Sequence, residues 1–143
     1  MKVEDLHGSW SLVRTYKLVD GAETEAPAFN RSSYGFIHYL ADGRVAVLIA
    51  HERSKLSGDR RTSPDSEMAA AARSFDAYGG NFTLADDVVT HHLDISSYEN
   101  DRGADYVRRA RLTGDRLFLE MPEMTTAEGK VIFGLEWRRV VAR

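Results

Sequence analysis

Alternation of apolar and polar residues, cut at short intervals by turn residues, is the feature that most limits what this chain can fold into. Alternation sends successive side chains to opposite faces of a strand, one buried and one wet. The alternating runs are Trp10 to Val19, Tyr34 to Leu40, Arg44 to Ala50, Asn81 to Leu84, Val88 to Ser96, Ala104 to Leu112, Arg116 to Met121 and Lys130 to Val141. Between runs stand Asp20-Gly21, Asp42-Gly43, Asp86-Asp87, Asn100 to Gly103, Gly114-Asp115 and Glu128-Gly129, all turn chemistry. Asp42-Gly43 is expected as a type I′ hairpin turn, which wants positive φ at both central residues. Strands joined by tight hairpins must be antiparallel. About eight of them commonly close into an up-and-down barrel, which removes the exposed edges. The fold class expected is therefore all-β, a closed antiparallel barrel with one covering helix, in one domain spanning all 143 residues.

Two segments break the alternation. One is the polar stretch Glu23 to Ser33, which contains Pro27. The other runs from the charged loop Glu52 to Ser63 into a helix expected over 64–78. Ser63 is suited to cap that helix and Pro64 to open it, since its missing N–H would have had no partner there. Met68 to Ala72 is a strong helix-forming run, and Gly79-Gly80 would stop the helix near Tyr78. With Met68, Ala72 and Phe75 inward at helical spacing, the helix reads as a plug or wall of the barrel. A sharper reading makes it a lid hinged on the charged loop.

Composition excludes several classes. The chain has no cysteine, so neither a disulfide framework nor a thiolate metal site is open to it. The net charge of -3 is spread over both signs, unlike the basic surface of a nucleic-acid binder. No apolar stretch is long enough to span a membrane, and Met1 to His7 lacks the apolar core of a signal peptide. The cytoplasm is the location expected, with no membrane and no nucleic acid among the partners. A homodimer is left open.

The alternation also assigns faces. Trp10, Leu12, Tyr16 and Leu18 share one face of the first run, with Arg14 among them. Val89, His91, Leu93 and Ile95 fall together, as do Tyr106, Arg108, Ala110 and Leu112. Leu117, Leu119 and Met121 form a third set, and Phe133, Leu135, Trp137 and Arg139 a fourth. In the 34–50 hairpin both faces are apolar, and if Phe36 and Val47 point inward, Tyr34 and His38 go with them. The inner wall expected is thus apolar, with His91, Arg108, Arg14 and tyrosines as its polar exceptions.

Several segments carry a resemblance. They are Gly8-Ser9-Trp10-Ser11-Leu12-Val13, Tyr39-Leu40-Ala41-Asp42-Gly43-Arg44, Ala77-Tyr78-Gly79-Gly80-Asn81-Phe82, Val89-Thr90-His91-His92, Val107-Arg108-Arg109 and Trp137-Arg138-Arg139-Val140. In their order and spacing the chain resembles the bacterial lipocalin-like domain family, related to the calycins. The resemblance implies a barrel with a cavity and no particular activity. It also implies that Trp10, in a Gly-x-Trp opening the first strand, packs under Arg139 near the end of the last, a stack that cation–π attraction would favour.

Two functions of different class follow. The first is a binding module for a small apolar or aromatic molecule, which requires only the cavity. The second is a cofactor-independent cyclase or isomerase that moves protons with His91, Arg108 and Tyr106. In either, Arg14, Tyr16, Tyr34, His38, Tyr78, Leu93, Leu119 and Phe133 are the candidate ligand contacts, and neither a cofactor nor a metal is expected. His91 and His92 are adjacent on a strand and point to opposite faces, so they cannot chelate together; a metal would need His91 with a residue such as His38. His91 reads equally as a core histidine with a tyrosine or backbone partner and as a cavity acid–base group. Arg108 is either paired internally, with Glu99 or Asp94, or a fork for an oxygen of the ligand.

Overall fold

The computed structural model describes residues 1–24 and 32–142. The centre of the polar stretch around Pro27, residues 25–31, lies outside them. Ten strands form one sheet: β1 (Gly8–Val19), β2 (Ala22–Thr24), β3 (Ser33–Tyr39), β4 (Arg44–His51), β5 (Phe75–Ala85), β6 (Val88–Ser96), β7 (Asp105–Thr113), β8 (Arg116–Glu120), β9 (Met124–Thr126) and β10 (Gly129–Arg139). Eight of these run in the order β1-β3-β4-β5-β6-β7-β8-β10, and β10 pairs back onto β1, closing an antiparallel barrel. The short strands β2 and β9 extend the hairpins beside β1 and β10. No helix among the described residues is long and apolar enough to cross a membrane.

One end of the barrel is sealed as expected. Trp10 is fully buried, and the Arg139 guanidinium lies 4.1 Å from its ring centre. A short helix, α1 (Val3–Leu6), completes the seal. Leu6 is buried, its carbonyl accepts from Trp10 Nε1 at 2.9 Å, and Arg139 donates to the carbonyls of His7 at 2.8 Å and Asp5 at 2.6 Å. The guanidinium thus satisfies carbonyls of the opening segment while covering the indole. Above this seal the inner wall is apolar, with Ile37, Val45, Val47, Phe82, Val89, Leu117, Leu119 and Leu135 in one cluster.

Several expectations for local structure are corrected. The helix α2 spans only Asp65–Arg73, and Phe75 to Tyr78 belong to β5. Ser63 does not cap it: the capping position is Pro64, and Ser63 Oγ donates to the carbonyls of Ser57 and Asp59. Nor does α2 plug the barrel, since no residue of it is buried and Met68 is exposed. It is tied instead to the preceding loop, where Glu67 accepts from the backbone N–H and hydroxyl of Ser57. Gly79-Gly80 is strand rather than helix stop. A Cβ on Gly80 would lie 1.8 Å from the His92 carbonyl oxygen, so only glycine lets the two backbones approach. The Asp42-Gly43 turn is not type I′. Gly43 alone has positive φ, at 88°, and donates to the Leu40 carbonyl, while Leu40 N–H reaches Arg44, the pattern of a three-residue loop ending in a glycine bulge. Both central residues have positive φ at Asp20-Gly21 instead, 49° and 84°.

Two bulges change which side chains face inward. In β1 the register slips between Leu12 and Arg14, leaving Val13 as an extra residue. Trp10 and Leu12 point inward, but beyond the bulge the inward residue is Thr15, opposite Leu135, while Arg14 and Tyr16 turn outward. Tyr16 is nonetheless buried, because its ring lies over Gly134 on the outer wall, where a Cβ would come within 2.3 Å of it. Phe118 meets it edge-on, Arg14 covers it, and Arg111 covers Phe118. Burial pushes the Tyr16 hydroxyl up to about 12, helped by nearby Glu120. In β6 the slip opposite Gly79 and Gly80 makes Asp94 the extra residue. Ile95, expected inside, is 64% exposed, and Ser96 takes its place on the inner face.

Candidate functional site

The open end of the barrel leads into a cavity of about 250 Å3. Ile37, Val47, Ile49, Leu119, Met121 and Leu135 form its apolar wall. His51 at the end of β4, Asp76 at the start of β5, and Ser97, Tyr98 and Asp101 in the segment after β6, where Glu99–Asp101 forms a 3-10 turn, rim it. Inside stand Tyr78, His91, Tyr106, Arg108 and Trp137.

His91 is fully buried on β6 between two tyrosines. Tyr39 Oη lies 2.7 Å from its Nε2, and Tyr78 Oη lies 2.8 Å from its Nδ1. A neutral imidazole has one donor and one acceptor nitrogen, so one tyrosine donates to the ring and the other accepts from it. Burial drives the imidazole down to about 3, and the nearby Arg108 cation pushes the same way. Burial raises Tyr39 and Tyr78 well above the ordinary phenol range. The cluster is held neutral throughout, and the tyrosine that accepts from the ring keeps its own hydroxyl proton outside these two hydrogen bonds.

Arg108 sits on β7 two residues beyond Tyr106, on the same face. Its guanidinium lies 5.1 Å from the Tyr106 ring centre and donates to the Val107 carbonyl at 2.9 Å. Neither carboxylate expected as its partner takes that role: Asp94 pairs with Arg44 at 2.6 Å and Glu99 with Arg102 at 2.7 Å. No carboxylate among the described residues forms an ion pair with Arg108. Tyr106 stacks edge-on against Tyr78, with ring centres 5.0 Å apart, and donates a short hydrogen bond to Asp101. Burial, with this bond second, raises its hydroxyl to about 12.

Of the residues expected to form the site, the fold brings together His91, Arg108, Tyr106, Tyr78 and Leu119. Leu93 and Phe133 share the inner faces of their strands but do not line the cavity. Arg14 and Tyr16 lie outside because of the β1 bulge. Tyr34 and His38 also lie outside. Ile37, not Phe36, is the cross-strand neighbour of Val47, so the odd-numbered residues of β3 face inward. Tyr34 is 60% exposed, and His38 hydrogen-bonds Ser9 Oγ through Nδ1 at 2.7 Å. A metal held by His91 and His38 is thereby ruled out, and no group of three or more ligating side chains occurs among the described residues. Sequence reading missed Tyr39 and Asp101 as partners of the site. Tyr39 stands in one of the segments that carry the resemblance, but only the register of β3 turns it toward His91.

The lipocalin-like domain family matches residues 7–140 of the chain. A protein of Aspergillus oryzae described as the 4'-hydroxy-3'-methoxypropiophenone carrier protein ppsC is 35% identical over an 82-position alignment that covers 52% of this chain and 69% of that protein.

Proposed function

Because the chain belongs to the lipocalin-like domain family, we propose that it is a carrier whose barrel holds one small aromatic molecule bearing an oxygen acceptor, a phenol or an aryl ketone. The observation that carries this reading is Arg108, a cation facing a largely apolar cavity without a carboxylate partner among the described residues. Arg108 is only partly buried and gives one N–H to the Val107 carbonyl, so its remaining donors can take a ligand oxygen, the acceptor suited to its fork. A cavity of about 250 Å3 suits a single substituted ring, and the aromatic edges of Tyr78 and Tyr106 offer it ring contacts. The carrier from Aspergillus oryzae is named for a ligand of this class, a phenolic ketone.

A cyclase or isomerase would need a group poised to exchange a proton near neutral pH. Both nitrogens of His91 are engaged by tyrosines, its pKa is driven down to about 3, and burial raises both tyrosines. These groups favour holding a ligand over turning it over.

The test is a calorimetric titration with 4'-hydroxypropiophenone. Saturable binding of one ligand per chain is expected. Arg108→Met should weaken it by about 10- to 150-fold, as for a hydrogen bond to a charged group, with an unchanged or raised melting temperature because no carboxylate is stranded. Unchanged affinity in the folded variant would remove Arg108 from the site, and absence of saturable binding to the unsubstituted chain would remove the carrier reading.

A further inference from the structure

Three adjacent strands bring one carboxylate to the mouth of the cavity and hold it there. Asp76 is the second residue of β5, opposite Ile49 of β4, and both line the cavity. His51, at the end of β4, has its Nε2 2.9 Å from Asp76 Oδ2 and its Nδ1 2.7 Å from the Oγ of Ser33, its neighbour across β3. An ionised carboxylate only accepts hydrogen bonds, so Nε2 carries a proton and donates to Asp76, and Ser33 steadies the far side of the ring. Ser33 is not among the residues lining the cavity, so this chain of bonds presents the carboxylate to a ligand and not the serine hydroxyl. The Asp76 side chain is 66% exposed, and its Oδ1 has no hydrogen-bond partner among the described residues. Arg108 lines the same cavity, and no ion pair among the described residues joins it to Asp76. The two stand at different depths. Asp76 is one inward position nearer the mouth than Tyr78, and Arg108 one inward position farther from it than Tyr106. Between these levels the two tyrosine rings meet edge-on, their centres 5.0 Å apart.

We propose that Asp76 is a ligand-specificity residue: its free carboxylate oxygen accepts the phenol O–H of a hydroxyaryl ketone whose carbonyl oxygen takes the Arg108 guanidinium deeper in the barrel. This deepens the carrier reading and rests on it. A fixed acceptor at the mouth and a cationic donor below it, unjoined to each other, are both satisfied by one molecule only if it carries a donor at one end and an acceptor at the other. A ketone with a hydroxyl across its ring does so, and it enters with the acyl end first. An aryl ketone without the hydroxyl reaches Arg108 and leaves Asp76 to water. A site built around an acceptor disfavours analogues that lack the donor. Because Asp76 is largely exposed, water takes part of the place of the missing hydroxyl, and the preference is smaller than in a sealed site.

The experiment compares 4'-hydroxypropiophenone with 4'-fluoropropiophenone, which keeps the ring, the carbonyl and nearly the same size but has no proton to donate. Titrations are run near neutral pH, where the phenol keeps its proton. The unsubstituted protein should bind the hydroxy ketone about 10-fold more tightly than the fluoro ketone. Asp76→Ala, at a largely exposed position, should bring the two ligands to about equal affinity. Arg108→Met should weaken both and leave their ratio in place. If the unsubstituted protein binds both ligands equally well, the inference is overturned and the carrier reading stands. If Asp76→Ala keeps the preference while Arg108→Met loses it, the phenol sits on the arginine and the inference is likewise overturned. If neither ligand binds, the carrier reading fails and takes the inference with it.

Discussion

Truncating Trp10 to alanine is expected to lower the unfolding free energy by about 3–5 kcal/mol, the range for deleting a buried large aromatic. Three losses coincide at this site. The indole is fully buried in the core cluster, so its removal opens a cavity against neighbours that relax only partly. Its Nε1–H no longer satisfies the Leu6 carbonyl, which loosens α1 from the barrel. The Arg139 guanidinium loses the ring beneath it. Arg139 keeps its bonds to the carbonyls of Asp5 and His7, so Arg139→Met should cost less than the tryptophan change while still freeing the opening segment. Urea unfolding followed by far-ultraviolet circular dichroism measures both. A loss under about 1 kcal/mol for Trp10→Ala would show that the seal does not depend on this stack.

The second large effect concerns pH. His91 is neutral in the folded protein, with a pKa near 3 against 6.5 for an unperturbed imidazole, chiefly because burial disfavours its charged form. Between these values the unfolded chain binds a proton that the folded chain refuses, so folding stability rises with pH there. Its contribution is complete above 6.5 and is lost as pH falls toward 3. The slope is about 1.4 kcal/mol per pH unit, a total on the order of 5 kcal/mol across the window. Carboxylates held low by hydrogen bonds, such as Asp59 and Asp94, add their own loss in acid, so the comparison must isolate the histidine. His91→Gln keeps a donor and an acceptor between Tyr39 and Tyr78 and does not titrate. Urea titrations from pH 7.5 down to 4 should show the unsubstituted protein losing stability more steeply than the variant, by one proton's worth of slope. Parallel curves would mean that His91 takes up its proton in the folded state.

The barrel was legible because its signal is local. Each strand announces itself by alternation and each hairpin by its turn residues, and seven of the eight barrel strands lie within a few residues of where the pattern puts them, β5 alone beginning six residues earlier. His91, Tyr106, Arg108 and Leu119 were legible for the same reason, since they lie on strand segments where the alternation runs without interruption. The helix was less so. Ala69 to Ala72 favour a helix anywhere, but its end depends on β5 claiming Phe75 to Tyr78 by pairing with β4 and β6, a long-range contact that no window of sequence contains.

By itself, then, the sequence determined an antiparallel barrel and the polar residues that β6 and β7 turn inward, while the sealing pair Trp10 and Arg139 came from the family resemblance. Only the tertiary structure decided the face of every residue beyond a bulge. One extra residue at Val13 reverses the parity of the rest of β1, which carries Arg14 and Tyr16 to the outer wall. The same reversal at Asp94 exchanges Ile95 for Ser96. In β3, where both faces are apolar, the choice between Phe36 with His38 and Ile37 with Tyr39 fell to registry with Val47. The physical reason is that alternation has a period of two and no memory of which face is inside. That information resides in the hydrogen bonds to neighbouring strands, and so does the meeting of Tyr39, Tyr78 and His91, which come from three different strands.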